Sequence, residues 1–167
     1  MHAETTYAFR HALLREAAYQ LQLPRERGRL HALALDALEF MLGGPPPEPP
    51  LPGDWGFEEA AVHASDPWAH EAAEQAGRAA YLGGVDSAQL RRRQRVYLRR
   101  AALHASKHFR EGEAYRIWVG LASTETGVSR GRALLAAAIS SYRSSQDPRQ
   151  CEAALVDALD VQRAAED

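Results

Sequence analysis

The stretch Asp66-Pro67-Trp68-Ala69-His70-Glu71-Ala72-Ala73-Glu74-Gln75-Ala76-Gly77-Arg78-Ala79-Ala80-Tyr81-Leu82-Gly83-Gly84 decides the fold. Aspartate followed by proline is a helix-start signal. The carboxylate can accept from the unpaired N–H groups of the first turn, and proline is tolerated there. The paired glycines supply a stop. Between them Ala69, Ala72, Ala73, Ala76 and Ala80 recur at the spacing of one helical face. Every member of that seam is small. Small seams let two helix axes approach closely, as stacked helical hairpins require. The pattern predicts a helix over 67–82 with close neighbours.

The same punctuation continues downstream. Asp86 or Ser87 can cap a helix reaching about Ser106, and further helices are predicted over 111–123 and 128–145. Asp147-Pro148 repeats the start signal and opens a last helix to about Ala164. Apolar stripes accompany these helices: Ala114, Ile117, Trp118 and Leu121; then Leu135, Ala138, Ile139 and Tyr142; then Cys151, Ala154, Leu155, Ala158 and Leu159. Helix pairs starting near residues 87 and 127 repeat at about 40 residues, longer than the 34 of tetratricopeptide units. The predicted fold is therefore all-α, with tetratricopeptide-like stacked hairpins.

Upstream, helices are predicted over 10–22 and 24–42, divided by Pro24, with Gly43 at the left-handed position after the second. Leu30, Leu33, Ala34, Ala37, Leu38 and Met41 form what reads as one buried stripe. Thr5 to Phe9 alternates, which fits a short N-terminal strand or an extended arm. Gly43-Gly44-Pro45-Pro46-Pro47-Glu48-Pro49-Pro50-Leu51-Pro52-Gly53 lacks most backbone donors and has its φ angles fixed by proline. It reads as an extended connector; the other reading is a loop packed over a helical surface. The chain thus divides into an N-terminal hairpin (1–42), a connector (43–53) and a repeat region (54–167).

Composition narrows the function classes. A net charge of −2 gives no global field toward nucleic acid or acidic membrane. The single cysteine, Cys151, excludes an intrachain disulfide and fits a reducing compartment. No apolar run is long enough to span a bilayer, and residues 1–9 lack a signal-peptide pattern. The expected location is cytoplasmic. Arginine far outnumbers lysine, present only as Lys107, and alanine is abundant, as in a GC-rich bacterial genome.

One region resembles a known family. Phe9, His11, Leu13, Glu16 and Tyr19 stand in the pattern F-x-H-x-L-x-x-E-x-x-Y. They are followed by Leu23-Pro24, Arg29-Leu30-His31 and Ala37-Leu38-Glu39. This is similar to a segment of large bacterial signal-transduction ATPases, among them ATP-dependent transcriptional activators and multidomain adenylate cyclases. There the segment ends a winged-helix-like subdomain and leads into tetratricopeptide-like repeats. The chain has no G-x-x-x-x-G-K-[ST] loop to cradle phosphates. The resemblance therefore implies the helical, regulatory part of such a protein, with an ATPase, a transcription regulator or another protein domain as partner.

Candidate sites follow from the polar residues. Arg91, Arg92, Arg93, Arg95, Arg99 and Arg100 are the strongest charge cluster, and Arg92, Arg95 and Arg99 share a side opposite Leu90, Tyr97, Leu98 and Ala101. They read as a solvated face and candidate interaction surface; the alternative is a phosphate-tracking, nucleic-acid-binding face. His11 and His31 are expected to bridge the first two helices, with Glu16 paired to an arginine. His104 and His108 sit one turn apart, with His63 and His70 as further possible ligands. The missing acidic residue beside them and the adjacent Lys107 argue against a metal. No cofactor is expected, and Cys151 lies on an apolar stripe. Trp55, Trp68 and Trp118 read as packing anchors. An exposed seam would allow dimerisation.

Overall fold

A computed structural model describes residues 12–50, 60–83, 86–144 and 148–166. Seven helices stand among the described residues, with no strand: α1 (Ala12–Gln20), α2 (Pro24–Met41), α3 (Ala69–Tyr81), α4 (Ser87–Lys107), α5 (Glu111–Ala122), α6 (Gly127–Arg143) and α7 (Pro148–Glu166). A short 3-10 turn, Asp66–Trp68, precedes α3. From α2 onward each helix packs chiefly on its neighbours in sequence, as consecutive antiparallel pairs. Several expectations fall outside the described residues: the strand or arm over 5–9, Phe9, His11, Trp55, the Asp147 cap, and the side chain of Leu13.

The alanine seam of α3 is buried along its length, with Ala69, Ala72, Ala73, Ala76 and Ala80 all inside. Trp118 and Leu121 of α5, Tyr97 of α4 and Leu35 of α2 are the largest apolar and aromatic side chains fully buried in the same core. Leu35 of α2 and Ala158 of α7 belong to the same core cluster, so one core runs through the stack. α6 lies between α5 and α7 and is buried over most of its circumference. That explains its run of small residues, Ala133, Ala136, Ala137, Ala138, Ser140 and Ser141. Tyr142, expected on the buried stripe, is exposed instead.

Four further readings are corrected. On α2 the expected stripe is turned outward: Leu30, Leu33 and Met41 are exposed, while Gly28 and Leu35 are buried. On α7 Leu155 and Leu159 are also exposed, because α7 rests chiefly on α6. Trp68 is exposed rather than an anchor. Asp66 does not cap α3. Its Oδ2 accepts the His63 N–H at 2.9 Å and its Oδ1 accepts Arg100 Nε at 2.6 Å, and a buried guanidinium competes well for a carboxylate. The cap expected of Asp86 is present, with its side chain accepting from Gln89 N at 3.1 Å.

The proline-rich segment is also more than a spacer. Gly43 and Gly44 take φ of 89° and 102°, where glycine has no steric penalty. The Gly44 N–H returns to the Glu39 carbonyl at 2.8 Å, closing α2 and turning the chain back. Pro49 is buried, and the Pro47 carbonyl accepts from Arg100. Residues 45–50 therefore pack over the stack, the second of the two readings open for this segment.

Candidate functional site

The arginine cluster of α4 is placed by helical geometry on more than one side of a central helix. Arg99 and Arg100 are buried, with only 9% and 2% of their side-chain surfaces exposed. Arg100 donates from Nε to Asp66, from Nη1 to the Pro47 carbonyl and from Nη2 to the Ala61 carbonyl, the last two at 2.8 Å. One rigid fork thus ties the connector, the following loop and the turn before α3 to α4. Arg99 reaches Glu48 at 2.7 Å and Glu125 at 3.0 Å. Arg92 lies 3.7 Å from Glu48, and Arg95 lies 3.7 Å from Glu125. Arg93 turns to α2, contacting Asp36 and Glu39 at 2.7 Å each. Tyr97 donates to Glu39 at 2.9 Å. Burial, and then the Glu39 charge, push that phenol well above its ordinary pKa.

This arrangement corrects the reading of Arg92, Arg95 and Arg99 as one solvated face. Arg91 and Arg92 are exposed, Arg95 is half-buried and Arg99 is inside. Each of the three is within reach of a glutamate of the same chain. Glu48 and Glu125 lie far from α4 in sequence, so nothing near the arginines signalled their neutralisation.

The family-like positions meet in part. Tyr19 Oη lies 2.8 Å from His31 Nε2, and His31 Nδ1 lies 2.6 Å from Gln75 Oε1. His31 thus links α1, α2 and α3 by its two ring nitrogens. The Arg27 guanidinium sits 5.1 Å from the Tyr19 ring centre, a cation–π distance. Glu16 accepts from Gln20 at 2.6 Å, and among the described residues no arginine pairs with it. Leu30 faces outward.

That outward face is the feature the sequence reading missed. Leu33, Phe40 and Met41 are 62%, 88% and 70% exposed, beside Leu30 and Ala37 on the same side of α2. The opposite side carries Gly28, His31, Leu35 and Glu39, spaced by three and four residues, with His31 and Glu39 bonding into the stack. Two interleaved stripes therefore coexist on α2, and the less apolar one is inside. Glycine at position 28 and the polar residues at 31 and 39 were the available signal, since small and hydrogen-bonding residues mark a close helix contact.

The histidines gather elsewhere. A cavity of about 740 Å³ lies between the loop over 60–67, the C-terminal half of α4 and Arg143 at the end of α6. His63, His104 and His108 line it, and the His104 and His108 rings are 4.3 Å apart at their centres. Burial, and then the neighbouring His108, lower the His104 pKa. Among the described residues no three His, Cys, Asp or Glu side chains group to hold a metal ion. His70 is exposed on α3 and does not line this cavity. Cys151 is half-buried, its Sγ 3.6 Å from the Ala138 carbonyl. Among the described residues no helix is long and apolar enough to cross a membrane. Comparison of the chain with protein-family models, curated proteins and solved structures finds no match.

Proposed function

We propose that this chain is a non-catalytic, tetratricopeptide-like interaction module that docks another protein domain on the outer face of α2. The reading rests on one observation above all: Leu30, Leu33, Phe40 and Met41 stand in water on one side of a helix whose other side is fixed in the core. A contiguous apolar face of this kind costs solubility and is characteristic of protein contact surfaces. Stacked-hairpin proteins need polar end faces when nothing covers them, and this end is apolar. A helical domain presenting its own apolar stripe is the occupant that fits, by helix-against-helix packing.

The resemblance of residues 9–39 to the helical part of bacterial signal-transduction ATPases supports a regulatory role, in which the docked domain is an ATPase or transcription regulator. The nucleic-acid reading loses its main support. Arg95 and Arg99 face Glu125 and Glu48, and a phosphate would have to displace those carboxylates.

The test compares the wild-type chain with the Leu33→Asp, Met41→Asp double variant as bait in a lysate of the source organism, each with and without nuclease. A protein held by the wild type after nuclease and lost by the double variant is the expected result. Equal capture by both baits, or capture abolished by nuclease, overturns the reading.

A further inference from the structure

The histidine-lined cavity lies apart from the α2 face. Its volume of about 740 Å³ falls within the range of small-molecule sites. Val62, Ala64, Pro67 and Leu103 give it an apolar wall. The charged groups at its edge are not symmetric. Asp66 has both oxygens engaged, by Arg100 and by the His63 N–H. Arg100 itself is fully directed to Asp66, Pro47 and Ala61. Arg143 lies 3.8 Å from Glu111. Lys107 makes no ion pair or hydrogen bond among the described residues, and it stands next to His108 on the last turn of α4.

A helix C-terminus ordinarily disfavours an anion. Here the last carbonyls of α4 are already accepting. His104 and Ala105 receive the His108 N–H, Ala105 also receives the Arg110 N–H, and Ser106 receives the Phe109 N–H. What remains for a ligand is an apolar wall ending in an ammonium and the imidazoles of His63, His104 and His108.

We propose that this cavity binds a small amphipathic carboxylate, with its aliphatic body against Val62, Pro67 and Leu103 and its carboxylate at Lys107 and His108. The complementarity has two parts. Burial of the chain supplies affinity, and the ammonium supplies the choice of an anion over a neutral analogue. The same arrangement makes binding tighter at lower pH. His104 faces His108 and Lys107 on its own helix, Asp66 and His63 from the loop, Arg110 and Glu113 at the start of α5, and Arg143 of α6. Protonating a histidine there adds repulsion that a bound carboxylate offsets.

The experiment titrates the full chain with decanoate and, separately, with decanol. Calorimetry gives the affinity, and the histidine Hε1 resonances in proton NMR give the location. Decanoate is expected to saturate one site and shift the His104 and His108 signals, while decanol binds at least about tenfold more weakly. Lys107→Glu, an exposed substitution, is expected to weaken decanoate by about tenfold or more with the melting temperature unchanged. Decanoate affinity should rise as pH falls through the histidine range. Equal affinity for decanol, an undiminished affinity in Lys107→Glu, or no saturation by decanoate overturns the proposal. The Leu33→Asp, Met41→Asp variant should bind decanoate like the wild type, so failure of the docking surface and failure of this site are separable.

Discussion

The outer side of α2 and the loop-facing side of α4 invert each other. On α2, leucine, phenylalanine and methionine stand in water while a glycine, a histidine and a glutamate take the contact side. On α4, two guanidinium groups are buried, and the alanines beside them are ordinary core. The contrast separates two meanings of hydrophobic pattern. Burial within the chain is set by which neighbour is available, and a helix can dock through small and hydrogen-bonding residues when its partner supplies the complements. An arginine can be interior when its charge is met there, as Arg100 is by Asp66 and two carbonyls and Arg99 by Glu48 and Glu125, because an unpaired buried charge is what costs most.

The largest test of this contrast removes the Arg100 fork. Arg100→Ala leaves Asp66 and two carbonyls without their donor and should destabilise the chain by about 3–5 kcal/mol, read from urea or thermal unfolding. Arg100→Lys should recover only part of that loss, since one ammonium cannot span three acceptors in a fixed fork. An Arg100→Ala protein that melts like the wild type would show that the connector does not depend on this residue.

A smaller effect is expected one residue away. Glu48→Ala removes the half-exposed partner of Arg99, while Glu125 stays in place. The loss should be about 1 kcal/mol or less and should shrink in high salt. If Glu48→Ala equals Arg100→Ala, the ion pair rather than the carbonyl bonds holds the connector.

A third test uses pH. His104 has a lowered pKa in the fold, by burial first and then by His108. As pH falls, the unfolded chain takes up this proton before the folded one does. Its contribution is therefore complete above the ordinary histidine range and is lost as pH drops through the folded value. Melting temperature should fall modestly between about pH 7.5 and about pH 5, and His108→Ala should flatten that slope.

The smallest expected change is on α2. Leu33→Asp with Met41→Asp should leave stability within about 0.5 kcal/mol, because both side chains are already in solvent. A loss of several kcal/mol would mean that the two residues are core after all, and the comparison between the faces would fail.

Much of the architecture was legible. Helix starts at Pro24 and Asp86, the glycine stop at Gly43 and the alanine seam of α3 each rest on local chemistry. Local chemistry survives without knowledge of the partner. The apolar stripe of α5 was also correct, since Ala114, Ile117, Trp118 and Leu121 are all buried. What failed was non-local. The two stripes of α2 were ranked wrongly because Gln75, Arg93 and Tyr97, which complete its inner side, lie far away in sequence. The arginines of α4 looked solvated because Glu48 and Glu125 lie 51 and 26 residues from Arg99. The histidine cavity was half visible: His104 and His108 share a face by spacing, but His63 and Arg143 join them only through folding.

The order in which neighbours pack has a kinetic consequence. Helices α3 to α7 contact chiefly the next helix along, so their closures involve short loops and should be fast. The bonds from Arg93, Arg99 and Arg100 to α2 and the connector cross 51 to 57 residues and carry a larger closure entropy. Folding should therefore start within the α3–α6 stack and spread outward. The proline-rich segment would be laid down late, over a surface already formed, with the buried guanidinium groups dry only once it arrives.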